Sequence, residues 1–312
     1  MNLLRHGGTG QAAARQQKPW GQRIVPYLFI APHLVFFVTF VATPVLYGFW
    51  LSLNQWDFLG EPKFVGLQNY LNLFDKSTVQ GLYFWNAMGN TLEFVLYSVP
   101  LLVTIPLGLA LALDTRLPGR VIFRTVFYAP MVLSVATVAI IWRWLLDTNA
   151  GLVNYYLKSI LGIGEKIPWL ADLPWAWISL VLMTVWWTIG GNLILFLAGL
   201  QDIPQTLYEA ARIDGANSWQ TFRYITLPGL KPTLLFVTVM TTIASFNLFG
   251  QPYMTTGGGP NRATQTAVML IRDEAFKAYR MGSASAMAWV LGLLMMVVSI
   301  FQFRAMRQHI EY

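Results

Sequence analysis

Long stretches without a charged residue dominate the chain, and polar segments separate them. Each stretch is close to or longer than the roughly 20 apolar residues that a helix needs to cross a bilayer. Backbone groups in lipid must find their hydrogen bonds within the segment, so these stretches are predicted to be transmembrane helices. The uncharged runs are 24–53, 94–113, 125–142, 173–201, 232–261 and 281–303.

This pattern predicts one all-α integral membrane domain with six transmembrane helices. The domain is expected to extend over 24–306, between a cytoplasmic tail at 1–23 and a short cytoplasmic tail at 307–312. A polar stretch at 201–231 forms a long internal loop between two spans. The predicted spans are about 24–53, 90–113, 121–144, 174–199, 232–250 and 282–304.

The composition agrees with a membrane protein and excludes several other classes. Hydrophobic residues make up 55% of the 312 positions and charged residues 11%, whereas soluble proteins contain about 25% charged residues. An ordinary cytosolic enzyme, a disordered chain and a coiled coil are therefore excluded. Because the chain has no cysteine, it has no disulfide framework and no thiolate for catalysis or metal binding.

The distribution of basic residues predicts an orientation. With the N-terminus inside, the inner segments carry twelve Lys and Arg with five acidic residues, and the outer segments carry nine with eight. Basic residues concentrate in the cytoplasmic loops of membrane proteins, so both termini are expected in the cytoplasm. This asymmetry accounts for the net charge of +7, and the basic residues are too dispersed for a nucleic-acid surface.

The connections between the spans are of two kinds. A tight hairpin is predicted at 114–120, with Pro118 and Gly119 as its turn. The outer segments 54–87 and 145–172 are longer and rich in Trp and Tyr, which favour the headgroup level. They are expected either to carry short interfacial helices or to contribute only a belt of aromatic anchors.

The long inner loop has the signals of a short helix. Asp202 is predicted to cap it, with Pro204 in its first turn. Thr206 and Glu209 offer a second capping arrangement. Gly215 follows where a left-handed C-terminal cap belongs, so the helix is predicted to end there.

A second short helix is predicted after this glycine. Asn217 or Ser218 starts it, and Pro228 is expected to break it. The loop is either a docking element outside the lipid or an amphipathic segment folded under its own bundle. The apolar stripe of the first helix consists of Leu207, Ala210, Ala211 and Ile213.

Seven positions of this loop match the signature EAA-x3-G-x9-I-x-L-P. The loop therefore resembles the coupling loop of permease subunits of bacterial ABC importers, the binding-protein-dependent inner-membrane components. The matching residues are Glu209, Ala210, Ala211, Gly215, Ile225, Leu227 and Pro228.

Other parts of the chain are similar to the carbohydrate-uptake branch of that family, which includes the maltose and glycerol-phosphate permeases. These are the segments 26–57 and 64–74, the string at 256–260 and the segment 284–288. The resemblance covers about residues 22–306. It implies the type I ABC importer permease fold.

The resemblance also implies partners. A second homologous permease, two copies of a cytosolic ABC ATPase and an extracytoplasmic solute-binding protein are expected beside this chain in a bacterial inner membrane. The chain has no G-x-x-x-x-G-K-[ST] loop, so ATP and Mg are expected to be used by the ATPase, with no cofactor or metal bound by the permease itself. The expected ATPase contacts are Glu209, Ala210, Ala211, Asp214, Gly215, Ile225, Leu227 and Pro228.

Polar residues inside the spans are candidates for a substrate pathway, since such groups are costly in lipid and tend to face a cavity. Glu93 lies near the outer end of the second span, and Asn192 follows Gly190 and Gly191 in the fourth. Glu93 could equally be an interface-level charge. The glycines could serve helix packing, and an asparagine can join helices to each other.

Further candidates lie in the last two spans. Asn247 and Gln251 are four residues apart and are predicted to share a helix face near Tyr253. Ser285 and Trp289 have the same spacing. Amide groups can bond sugar hydroxyls, and aromatic rings can cover the apolar face of a sugar ring.

The expected function is a non-catalytic permease for a sugar or oligosaccharide. Glycerol-3-phosphate or another polyol compound is the alternative, although the spans offer only Arg143 for a phosphate. A stand-alone secondary transporter is a remote alternative. A membrane enzyme is disfavoured because no H-E-x-x-H motif occurs and because the acidic pair Asp273 and Glu274 is expected to be solvated.

Overall fold

A computed structural model gives the structure of the chain, and it describes residues 20–114 and 119–307. Within these residues, five helical segments are long and apolar enough to cross a bilayer, and a bent pair of helices makes a sixth if it is counted as one span. The all-α membrane fold with six spans is therefore confirmed. The five segments are Tyr27–Ser52, Val79–Asp114, Trp175–Gln201, Lys231–Met254 and Met281–Met306.

The described elements follow one another as helices with a single short hairpin. The two strands, β1 (Asn54–Gln55) and β2 (Lys63–Phe64), pair antiparallel. In chain order the α-helices are α1 (Trp20–Phe37), α2 (Thr43–Ser52), α3 (Gln68–Phe74), α4 (Val79–Asp114), α5 (Arg120–Tyr128), α6 (Val135–Leu145), α7 (Leu152–Leu161), α8 (Trp175–Gln201), α9 (Gln205–Ile213), α10 (Ser218–Thr221), α11 (Leu227–Gly229), α12 (Lys231–Phe246), α13 (Gly250–Met254), α14 (Ala267–Phe276) and α15 (Met281–Arg307).

The chain divides into two units, one up to Trp50 and one from Leu51 onward. In the first unit, a π-helical turn at Val38–Ala42 joins α1 to α2. Thr43 Oγ1 donates a hydrogen bond to the carbonyl of Val38 over 2.8 Å within this turn. The predicted N-terminal tail lies largely outside the described residues, as do Pro118 of the predicted hairpin and residues 308–312.

In the second unit, α4 is the central helix. It packs along α8 and α12, while α15 packs on α12 and α14. With 36 residues it is about 54 Å long, well beyond the roughly 30 Å of hydrocarbon in a bilayer. It starts eleven residues before the predicted span, so much of the expected outer connection is helical. The core at its contacts includes the fully buried Phe84, Phe196, Phe246 and Met287.

The third span is bent by 100° between Arg120–Val132 and Val135–Leu145. A 3-10 turn at Ala129–Val132 ends the first half, and Ser134 caps the second by accepting a hydrogen bond from the Thr137 backbone N–H. The predicted span at about 121–144 is therefore two helices. Local turn chemistry allows the second half to start here, because Ser134 has the extended backbone of a helix cap.

The outer segments carry the short helices α3 and α7, as one of the two sequence interpretations expected. The N-terminal ends of α3 and α15 meet the β-hairpin, where Asn69 Nδ2 donates to the carbonyls of Ser52 and Asn54. The Met281 N–H bonds to the Trp56 carbonyl over 2.9 Å. These contacts fix the start of the last span; an interfacial position for α3 and α7 stays a prediction.

Candidate functional site

The inner loop between α8 and α12 begins with a well-formed short helix, α9. Its C-terminal end is closed by two backbone bonds, from the Ala216 N–H to the Ala211 carbonyl and from the Gly215 N–H to the Arg212 carbonyl. This is the Schellman arrangement, which requires a left-handed residue. Gly215 supplies it with φ of +75°, so the predicted left-handed end of this helix is confirmed.

The start of α9 differs from the prediction. Asp202 is the C-terminal cap of α8, with a helical backbone conformation, and Pro204 precedes the first residue of α9. No side chain caps α9, so neither Asp202 nor the Thr206 and Glu209 pair acts as predicted. The reason is that α8 continues to Gln201, which leaves Asp202 helical rather than extended.

The second helix of the loop starts with a capping box. The Asn217 side chain accepts from the Gln220 N–H at 2.9 Å, and the Gln220 side chain accepts from the Asn217 N–H at 2.8 Å. The prediction that Asn217 or Ser218 starts this helix is confirmed, with Asn217 as the cap. A π-helical turn at Phe222–Thr226 follows, and α11 then leads almost directly into α12.

Pro228 does not break the chain direction here. It lies in the first turn of α11, where a residue without an N–H loses no intrahelical bond. The wider π-helical turn ahead of it accommodates the ring. The predicted break at Pro228 is therefore wrong, and the loop is continuous with the fifth span.

The signature residues divide into an outward and an inward group. Glu209, Ala210, Asp214 and Gly215 are exposed on α9 and its end, whereas Ala211 is buried. Ile225, Leu227 and Pro228 are half-buried on the following segment.

Two contacts hold α9 and the residues just before it against that segment. The hydroxyls of Tyr208 and Thr226 lie 3.1 Å apart. Ile203 packs on Gly229, where an added Cβ would lie 2.8 Å from Ile203 Cδ1. The loop is thus folded onto its own bundle and also presents one face outward, so it combines features of both sequence interpretations.

The outward face of the loop is partly apolar. Ile213 is 87% exposed at the end of α9, and Trp219 is 68% exposed on α10. Beside them lies a cavity of about 650 Å³ between α9, α10 and the inner part of α4. Exposed large apolar groups next to a cavity are typical of a surface that another protein covers. The cavity is lined by residues including Leu111, Tyr208, Arg212, Trp219, Phe222 and Thr226.

Asn192 connects three spans. Its Nδ2 donates to the Leu102 carbonyl of α4 at 2.7 Å and to Thr241 Oγ1 of α12 at 3.1 Å. The Leu102 carbonyl is available because Pro106, four residues later in α4, has no N–H. The side chain is half-buried, and this geometry matches the helix-joining alternative for Asn192.

The neighbouring glycines serve close packing. An added Cβ at Gly190 would lie 2.6 Å from the Phe127 carbonyl oxygen, and one at Gly191 would lie 3.1 Å from Met131 Sδ. Trp187 Nε1 also donates to the Leu133 carbonyl over 3.1 Å. These contacts hold the bend of the third span against α8.

Asn247 and Gln251 do not share a helix face. α12 ends at Phe246, Asn247 is its C-terminal cap, and a new helix starts at Gly250. The predicted common face is therefore wrong, because the chain breaks between the two amides. Asn247 Nδ2 donates to the Ile243 carbonyl of its own helix at 2.9 Å.

Tyr253, Ser285 and Trp289 lie in the outer parts of α13 and α15. The Tyr253 ring stacks on Phe249 with centroids 5.0 Å apart, and the Arg272 guanidinium lies 4.8 Å from its centroid. Ser285 and Trp289 are half-buried, one helical turn apart on α15.

Glu93 borders a cleft of about 550 Å³, on the side of the bundle that the sequence predicts to be the outer one. Its Oε1 accepts a hydrogen bond from the Tyr97 hydroxyl at 3.1 Å. The opposite wall comes from the loop between α13 and α14, where the Arg262 guanidinium lies 3.8 Å from the centroid of Tyr83. Arg262 carried no sequence signal beyond its charge, because the loop that brings it to α4 is a tertiary feature.

Glu274 is buried, contrary to the prediction that the acidic pair is solvated. Its carboxylate forms a bidentate pair with Arg280 at 2.7 and 2.6 Å and accepts from Gln80 Nε2 at 2.6 Å. The hydrogen bonds that Arg280 donates to the Glu274 carboxylate raise the pKa of Arg280. Gln80 also contacts Ser283 Oγ, so this network joins the outer ends of α4, α14 and α15.

Asp273 is half-buried and pairs with two basic side chains. Its Oδ1 lies 2.8 Å from Arg272 Nη1 and 3.0 Å from Lys277 Nζ. In the described part of the chain, no group of three or more His, Asp or Glu side chains is placed to hold a metal ion.

Comparison with known proteins finds membrane components of transport systems, both by family and among the curated relatives. Residues 104–310 match the family described as "Binding-protein-dependent transport system inner membrane component". The chain is 38% identical over 257 residues to the trehalose/maltose transport system permease protein MalF of Thermococcus litoralis, covering 82% of this chain and 83% of that one. It is 35% identical over 289 residues to the lactose transport system permease protein LacF of Rhizobium radiobacter, covering 90% and 94%.

A solved structure has the same fold. It is a bacterial alginate ABC transporter in complex with an alginate pentasaccharide-bound periplasmic protein. One of its chains superposes with a TM-score of 0.79 at 22% identity and covers 95% of this chain and 99% of that one.

Proposed function

The chain belongs to the family of binding-protein-dependent transport system inner membrane components, and from this premise we propose that it forms half of the translocation pathway for a sugar or oligosaccharide. It is a multi-pass membrane permease of the ABC importer type. The observation that carries the proposal is α9, a short helix outside the spans whose signature residues Glu209 and Ala210 are exposed. A separate protein can bind such a helix.

Two copies of a cytosolic ABC ATPase are the proposed source of energy, with ATP and Mg bound by the ATPase. One of them would receive α9 in a surface groove, and Glu209 would pair with a basic residue there. Exposed Ile213 and the open space around Gly215 support a close contact. ATP binding favours one arrangement of the two ATPases. Because α9 is docked on them, this shifts the conformational equilibrium of the helix bundle as well.

The other proposed partners are a second homologous permease, distinct from this chain, and an extracytoplasmic solute-binding protein. The permease pair would enclose the pathway. The proposed orientation places both termini and α9 in the cytoplasm of a bacterial inner membrane. The excess of basic residues in the inner segments supports it.

A sugar or oligosaccharide is the proposed substrate class. Relatives with 35–38% identity are named for lactose and for trehalose and maltose transport. Glycerol-3-phosphate or another polyol compound is the alternative substrate. A cluster of basic residues in the spans, able to bind a phosphate, would favour it. The sequence offers only Arg143, at the end of α6.

The coupling role of α9 is tested by two substitutions. Glu209→Lys reverses the charge at the proposed contact, and Gly215→Val places a branched side chain where φ is +75°. We expect each to reduce ATP-driven sugar uptake at least about tenfold, because Glu209→Lys loses a charge-assisted contact and Gly215→Val strains the left-handed end of α9. The measurement is uptake by proteoliposomes that contain the assembled importer and its binding protein.

Two matched variants serve as controls. Glu61→Lys makes the same charge reversal at an exposed acid of the outer hairpin. Gly162→Val replaces another left-handed glycine with open surroundings, at the end of α7. Both are expected to transport like the wild type, and normal uptake by Glu209→Lys and Gly215→Val would refute the assignment of α9.

A further inference from the structure

The outer cleft beside Glu93 lies above the hydrocarbon of the bilayer. About 20 residues of α4 suffice to cross it, and with Asp114 at the inner boundary the crossing ends near Glu93. The preceding turns of α4, from Val79 onward, project into the aqueous phase on the outer side. The cleft of about 550 Å³ is therefore open to water rather than to lipid, which rests on the proposed orientation.

The lining of the cleft combines amides, one acid, one base and aromatic rings. Hydroxyl groups of a sugar need both donors and acceptors, and amide and carboxylate groups supply these in a planar arrangement. An Arg262 guanidinium and a Glu93 carboxylate together leave the cleft without net charge. The groups that matter here are Tyr83, Asn86, Asn90, Glu93, Arg262 and Gln265.

The wall that carries Arg262 is held in an unusual backbone conformation. Asn261 and Arg262 have φ of 45° and 63°, a left-handed region that non-glycine residues rarely adopt. Asn90 Nδ2 fixes this turn by donating to the carbonyls of Arg262 at 2.8 Å and Gln265 at 3.0 Å. Strain that the surroundings maintain in this way concentrates at functional sites.

The two charged groups are oriented but not paired with each other. The Arg262 guanidinium lies over the Tyr83 ring at 3.8 Å from its centroid, and its five N–H groups can still donate to a ligand at its edge. Glu93 Oε1 accepts from Tyr97. Among the described residues, the ion pairs are Arg272–Asp273, Lys277–Asp273 and Arg280–Glu274, so neither Glu93 nor Arg262 is neutralised by a salt bridge.

We propose that this cleft is an outer binding subsite for a neutral sugar, in which Glu93 accepts from one hydroxyl and Arg262 donates to a neighbouring one. The volume lies within the usual range for a small-molecule site. The subsite would hold the sugar between its release by the outer binding protein and its entry into the spans. This inference deepens the proposed function by assigning one position on the substrate route.

The test measures sugar binding to the full chain in lipid nanodiscs, with lactose, maltose and trehalose as probes in saturation-transfer NMR. At least one probe is expected to bind with a dissociation constant of about 1 mM. Glu93→Gln and Arg262→Lys are each expected to weaken binding about tenfold or more, because Glu93→Gln loses the charged acceptor and Arg262→Lys loses the planar guanidinium that fixes the direction of its donors. Arg262→Lys keeps the charge but loses the flat guanidinium.

Glu165→Gln is the matched control. It makes the same change at an exposed acid of another outer cleft, beside α7, and is expected to bind like the wild type. Equal thermal midpoints establish that the variants are folded.

Two outcomes would overturn the inference. One is the absence of binding of all three probes to the wild type, and the other is equal binding by Glu93→Gln and the wild type. A variant that loses association with the binding protein but keeps its sugar signal would also overturn it, because the cleft would then contact protein. Failure of the proposed function would appear separately, in the uptake assay of the wild-type importer.

Discussion

At the scale of single residues, Asn192 forms the polar crosslink at the centre of the bundle. It reaches the Leu102 carbonyl and Thr241 on two other helices. Pro106 in α4 has no N–H to bond to the Leu102 carbonyl, and a carbonyl in lipid has no water to bond to instead. The Asn192 amide supplies the missing donor. The sequence marks Asn192 as a polar residue in a span, but its partner is decided by the packing of α8 on α4.

The first prediction concerns this crosslink. Asn192→Ala is expected to destabilise the protein by about 1 kcal/mol, because hydrogen bonds between membrane helices contribute about 0.6 to 1.7 kcal/mol. In a Pro106→Ala background the loss is expected to be smaller, because the substituted alanine has a backbone N–H and gives α4 its own donor for the Leu102 carbonyl. A double-mutant cycle on detergent unfolding curves measures the difference.

Asn247→Ala serves as the control in the same assay. Its amide bonds only to the Ile243 carbonyl of its own helix in the described structure and is exposed. Two results would contradict the assigned partners. One is a loss of stability in Asn247→Ala as large as that in Asn192→Ala, and the other is an equal loss from Asn192→Ala with and without Pro106→Ala.

At the scale of elements, the bend of the third span depends on how close α8 comes to it. The backbone of Phe127 and Tyr128 touches Gly190, and Met131 touches Gly191. Backbone atoms cannot move away without shifting a helix, whereas the end of a methionine side chain can change rotamer. A side chain at Gly191 should therefore be tolerated better than a side chain at Gly190.

The second prediction compares these two positions. Gly190→Ala is expected to destabilise the protein by about 1 to 3 kcal/mol through overpacking. Gly191→Ala is expected to stay within about 0.5 kcal/mol of the wild type, as is usual for a change with little effect on packing. Thermal unfolding in one detergent measures both, and equal effects of the two substitutions would contradict the packing described here.

At the scale of the whole molecule, the orientation of the bundle determines which face meets the energy source. α9 lies at the proposed inner face, while α7 lies at the proposed outer face. The natural chain contains no cysteine, so a single introduced thiol reports its own location without background.

The third prediction uses two such thiols. In cells that produce the chain without the ATPase, which would cover α9, Ile213→Cys at the end of α9 is expected to react with a membrane-impermeant maleimide only after the cells are permeabilised. Leu161→Cys at the end of α7, 65% exposed, is expected to react in intact spheroplasts. Labelling of Ile213→Cys from outside would place α9 on the wrong side for an ATPase.

The pattern of apolar and polar residues is enough to predict the class, the six spans and the position of the inner helix. Uncharged runs of this length have no other stable arrangement in lipid, because every backbone group must bond within its segment. The end of α9 at Gly215 and the start of α10 at Asn217 were also predictable, since both depend on a few neighbouring residues. The coupling residues and the substrate route remain predictions that the experiments above test.

Which polar groups meet depends on how the helices pack. The contact of buried Glu274 with Gln80 and the cleft that joins Glu93 to Arg262 depend on residues far apart in the chain. Helical periodicity carries no information about such contacts, because it describes one element at a time. Desolvation and hydrogen-bond geometry select these pairings only when the helices have packed together.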